Sequence, residues 1–129
     1  MAAPYTLKKL TDLKDSAAEF SYGHIQEARF AGKDLGASDT GIALERIKPN
    51  QRVPFGHRHE NAEEIYVVLA GSGRAKLDDE ILDLGPLDAL RVAPHVTRAF
   101  EAGSDGLDLL AVGPHHKGDG ELIQGWWSD

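Results

Sequence analysis

The stretch Gly56-His57-Arg58-His59-Glu60-Asn61-Ala62-Glu63-Glu64-Ile65-Tyr66-Val67-Val68-Leu69 places a run of ionisable side chains directly before the most β-prone segment of the chain. Ile65 to Leu69 is apolar on both parities, as expected of a strand with one face in a barrel lumen and the other against a second layer. Alternate residues of a strand share a face, so His57 and His59 can both aim inward while Arg58 points away. They sit roughly 7 Å apart along such a strand, a gap that two imidazoles close when they share an ion. The chain then turns through polar residues and returns as a strand that opens with a carboxylate, either Glu63 or Glu64. Two neutral nitrogens and one anionic oxygen suit a borderline or hard divalent ion of the Zn, Fe, Mn, Ni or Co class.

Outward from this segment the chain breaks into short runs separated by turn signals. Ala31 to Gly41 is rich in Gly, Asp and Ser, Pro49-Asn50 is a turn pair, and Gly71-Ser72-Gly73 and Gly103-Ser104-Asp105-Gly106 are expected to end strands. Arg74–Leu77 and Ile81–Leu84 flank Asp78-Asp79-Glu80 as a hairpin, and Leu87–Ala93, Arg98–Glu101 and Leu107–Val112 read as further strands. Roughly seven to nine short strands at near-regular spacing predict an all-β sandwich or barrel. Before them, Leu7, Leu10, Leu13 and Ala17 recur at helical steps from Thr6 to Phe20, predicting a short helical arm.

With 129 residues there is room for one domain, expected as an arm over residues 1–25, a barrel over 26–113 and a tail over 114–129. The net charge is −7 and no Lys/Arg cluster offers phosphate contacts, which argues against nucleic acid. No apolar run approaches the roughly 20 residues of a membrane span, and the N-terminus lacks a signal-peptide pattern. Together with the absence of cysteine this predicts a cytoplasmic protein. Trp126 and Trp127, the only tryptophans, stand at the end of the chain and need a covering surface, either the barrel or a dimer partner, with a lid over the pocket the less favoured alternative.

The segment resembles the first motif of the cupin superfamily: His57-x-His59, four residues, Glu64, six residues, Gly71, with Pro54 and Gly56 ahead of it. The resemblance covers about Ile42 to Val112 and selects Glu64 over Glu63. It implies a double-stranded β-helix, or jelly-roll barrel, of the small single-domain bacterial type, with His57, His59 and Glu64 as ligands of one divalent ion. The second cupin motif aligns poorly with Leu87 to Phe100: Asp88 and the apolar strand survive, and Arg98 occupies the position of the fourth ligand histidine. A guanidinium has no lone pair to give. Two outcomes follow, a three-ligand ion with Arg98 clamping an anionic substrate, or a degenerate pocket whose fixed positive charge repels the ion. Arg98 pairing with Glu101 on a surface strand is a third, plainer reading. Tyr66 shares parity with Glu64 and is a candidate to line the lumen, and His95, His115 and His116 are candidate replacement ligands.

The resemblance implies a metal-dependent enzyme acting on a small anionic molecule, with dioxygenase, isomerase, decarboxylase and epimerase chemistry all within its range. A non-catalytic barrel that binds or senses a small anion is the alternative, and a homodimer is the expected assembly.

Overall fold

Residues whose apolar side chains alternate along the chain pair into an antiparallel sheet that curls on itself. The computed structural model describes residues 4–115 and 118–128. Among them are eight strands: β1 (Gln26–Phe30), β2 (Thr40–Ile47), β3 (Phe55–His59), β4 (Glu64–Leu77), β5 (Glu80–Leu84), β6 (Ala89–Val92), β7 (Arg98–Pro114) and β8 (Gly120–Gln124). One path of the sheet runs β1-β2-β7-β3-β8, while β4 pairs with β5, β6 and β7. The result is the expected jelly-roll barrel.

β7 is the spine. Its second half pairs with β2 from Leu107↔Ile47 to Pro114↔Thr40, and β4 pairs with it from Ile65↔Val112 to Leu77↔Arg98. Inward-facing side chains of these strands, among them Ile47, Tyr66, Val68, Phe100, Leu107 and Leu109, form one buried cluster. Burial of this alternating set is what closes the sheet.

Two expected breaks are not breaks. β4 passes through Gly71-Ser72-Gly73 and β7 through Gly103–Gly106, with register shifts between Val68/Ala70 and Gly71/Gly73. These are bulges in long strands rather than strand ends. At Gly71, φ is +80°, and a Cβ there would collide with the carbonyl oxygen of Gly106. Only glycine lets the two strands approach so closely.

The N-terminal arm is helical in two pieces, a 3₁₀ turn at Leu10–Asp12 and α1 at Ser16–Glu19. Asp15 separates them: it adopts an extended conformation, caps α1 through Ala17 N at 3.1 Å and holds Ala28 N of β1 at 2.9 Å. The expected apolar stripe therefore never forms one face, and Leu7 is 96% exposed whereas Ala17 is buried. A second one-turn helix, α2, occupies Gly32–Leu35. At the other end the tail docks on the barrel: Trp127 is 4% exposed, with the Arg52 guanidinium 4.4 Å and that of Arg74 5.5 Å from its ring centre. These are cation–π contacts.

Candidate metal centre

Strand alternation does what the spacing predicts. His57 and His59 turn into the barrel from β3, and Arg58 turns out to meet Glu121 at 3.0 Å. After the turn at 60–63, Glu64 enters β4 facing the same space. Its Oε1 is a hub, 3.3 Å from His57 Nε2, 3.1 Å from His59 Nε2, and 2.6 Å from the Tyr66 hydroxyl that donates to it. The three potential ligand atoms of His57, His59 and Glu64 all lie within 4.8 Å of one another. Glu63 points away and approaches Arg91 at 3.4 Å.

Both ring nitrogens of His59 are buried without a hydrogen-bond partner. Nε2 is near Glu64 but not aligned to bond it. A buried polar atom without a partner costs free energy, so Nε2, which faces Glu64, is placed for a ligand the protein does not itself provide, while Nδ1 faces Asp119. Two imidazole nitrogens and a carboxylate oxygen around one point fit a divalent ion of the expected class.

The carboxyl of Glu64 is strongly acidic. Burial alone would raise its pKa, but hydrogen bonds from His57 and Tyr66 and the charges of His57 and His59 outweigh burial and bring it down to about 2. Burial, reinforced by Glu64 and Glu45, pushes the Tyr66 phenol well above its ordinary value, so it stays a proton donor.

Arg98 is brought into this group and is not on a surface strand with Glu101, which pairs with Arg52 at 2.6 Å and Arg74 at 2.7 Å. Arg98 has no exposed surface. Its guanidinium donates to the carbonyls of Pro94 and Ala93, each at 3.3 Å, and lies 3.8 Å from Glu64 Oε1. Tyr66 is likewise enclosed. Both side chains lie against Glu64, and Arg98 also lines the cavity wall. His95 is exposed in the turn before β7 and His115 lies exposed at the cavity rim. Neither joins the three-residue cluster. His116 lies outside the described residues.

Two acidic residues that the sequence analysis did not single out belong to the site. Asp119 Oδ2 is 3.4 Å from His59 Nδ1, and its carboxylate accepts from Asn61 N, Asn61 Nδ2 and Ala62 N, holding the turn between β3 and β4. Burial raises its pKa, but these bonds and His59 outweigh burial and hold its carboxyl below the usual range. A carboxylate behind a ligating imidazole fixes the ring's tautomer and orientation. Glu45, on β2 between inward-facing Ala43 and Ile47, faces the same space; burial pushes its pKa up against the opposing charges of His57 and Arg98.

The group lies at the base of a cavity of about 970 Å³ that opens between the arm, β1, β3 and β8. A family model, the cupin domain, matches residues 43–112, and the chain belongs to the cupin family. No curated protein matches the sequence. Among solved structures the fold is similar to a cupin protein from Bacteroides fragilis, 23% identical over 91% of this chain and 89% of that one, with a TM-score of 0.70. It is similar to the polyketide cyclase RemF from Streptomyces resistomycificus at 22% identity, over 96% and 87%, TM-score 0.75. A sugar phosphate isomerase of the cupin superfamily from Silicibacter pomeroyi aligns at 16% identity over 78% and 77%, TM-score 0.64. At these identities the likeness establishes the fold.

Proposed function

We propose that this cupin is a metal-dependent enzyme acting on a small molecule in the barrel cavity, with His57, His59 and Glu64 holding one divalent ion of the Zn, Fe, Mn or Ni class. The carrying observation is the convergence on Glu64 Oε1 beside a buried His59 ring with no hydrogen-bond partner. An ion in this setting supplies Lewis-acid or oxygen-activating chemistry. The chain's own residues do the rest: Asp119 sets a negative charge behind His59 Nδ1, Tyr66 donates a hydrogen bond to Glu64 Oε1, and the hydrogen bonds from His57 and Tyr66 with the charges of His57 and His59 keep Glu64 ionised. Glu45, free of the ligand cluster and facing the cavity, is the group placed to take or return a proton on the substrate. Relatives named as a cyclase and an isomerase leave the reaction type open.

A second reading has its own support. Arg98 places a fixed positive charge 3.8 Å from Glu64 where the family motif carries a fourth ligand, which favours a barrel that binds a small anion without turnover. Elemental analysis of protein purified without chelator separates the two: about one equivalent of a first-row divalent ion per chain supports the enzyme, and metal-free protein supports the binder. We further propose a cytoplasmic homodimer, formed through β1 or β8, the terminal strands of the sheet path.

A further inference from the structure

All four phenylalanines of the chain face one space. Phe20, Phe30, Phe55 and Phe100 line the same cavity as the metal-type cluster, and Tyr22 joins them. They come from separate segments: the end of α1, β1, β3 and β7. Phe100 is buried, and Tyr22 packs on Phe55 with ring centres 5.2 Å apart, so these three form the inner wall. Phe20 and Phe30 are 71% and 57% exposed. Large aromatic surface held open beside a concavity is stabilised when a ligand covers it.

Size and charge narrow the ligand. About 970 Å³ lies at the upper end of pockets that take drug-sized molecules and is far more than a two-carbon dicarboxylate fills. The charged side chains lining it are Glu45, Glu64, Asp119 and Glu121 against Lys33 and the enclosed Arg98. Without an ion this balance disfavours an anion, with a divalent ion bound it comes close to neutral, and in either state the carboxylates accept hydrogen bonds from hydroxyl groups.

We infer that the cavity binds an uncharged, hydroxylated aromatic compound of at least two rings, its rings against Phe20, Tyr22, Phe30 and Phe55 and a hydroxyl directed at Glu45 and the His57–His59–Glu64 group. This deepens the proposed small-molecule reading of the same site and rests on it.

The test is calorimetric titration of the full chain, zinc-loaded and chelator-treated, with 2-naphthol, decahydro-2-naphthol and oxalate. The expected result is saturable binding of 2-naphthol at least about tenfold tighter than its saturated analogue, weakened about fivefold by Phe30→Ala. Because Phe30 is exposed, that variant should fold normally and keep its zinc stoichiometry. His59→Ala should lose zinc yet keep 2-naphthol binding to within a few-fold. If zinc binds but 2-naphthol does not, or Phe30→Ala leaves its affinity unchanged, the ligand class is wrong and the metal reading stands. If 2-naphthol binds as expected to a chain that takes up no zinc, the metal reading fails and the ligand class stands. Preferential binding of oxalate, or sedimentation as a dimer that excludes 2-naphthol and that Phe30→Ala dissociates, would overturn the inference.

Discussion

His57 and Arg98 face each other across the antiparallel ladder between β3 and β7, the register pair that joins those two strands. The barrel thus presents Arg98 where the second cupin motif presents a histidine, and its guanidinium reaches Glu64 Oε1 at 3.8 Å. A cation that cannot ligate stands next to the carboxylate of the proposed three-donor site and adds a fixed positive charge to it.

Arg98→His should therefore add a fourth nitrogen and remove the competing charge. The expected outcome is metal affinity raised by about tenfold or more, measured by competition with a chromophoric chelator. Arg98→Met removes the charge without a ligand and leaves the Pro94 and Ala93 carbonyls without this donor; it should lower unfolding free energy by about 3 kcal/mol in urea titrations.

Asp119→Ala frees His59 and releases the bonds to Asn61 and Ala62. Metal affinity should fall about ten- to a hundredfold while the circular dichroism spectrum is unchanged. An unaltered affinity would remove Asp119 from the site.

The acid limb of stability reports on Glu64. Its folded pKa of about 2 lies below the ordinary 4.5, so its contribution is fully present above pH 4.5 and is lost as pH falls towards 2. For metal-free protein the shift corresponds to about 3 kcal/mol. Urea unfolding across that window should show a slope that Glu64→Gln flattens.

Gly56→Ala tests how the tail is held. A Cβ at Gly56 would sit 2.8 Å from Trp126 Cε3 and 2.9 Å from Thr97 Cγ2. The variant should lose about 1–3 kcal/mol, and its tryptophan emission should shift to the red as Trp126 is displaced.

The barrel and the inward pair His57 and His59 were legible because both follow from strand periodicity, a local property, whereas Glu64 was separated from Glu63 only by the motif's resemblance to the cupins. The bulges were not, because Gly71 and Gly106 read as turn residues until the long β4–β7 pairing shows why glycine is needed there. Asp119 is one acid among 21 in a glycine-flanked turn, and only the β3–β8 pairing brings it to His59. Glu45 did leave a trace: it occupies an inward position between Ala43 and Ile47, where an ionisable residue costs free energy unless it has a task. The arm misled because helical spacing over Leu7 to Ala17 says nothing of Asp15 capping a helix in mid-stripe.

The most direct measurement is anomalous diffraction from crystals grown with manganese or zinc, collected at the metal edge. A single peak is expected within ligand distance, roughly 2.0–2.3 Å, of His57 Nε2, His59 Nε2 and Glu64 Oε1. No peak there, or a peak bound only by other side chains, would contradict the metal centre.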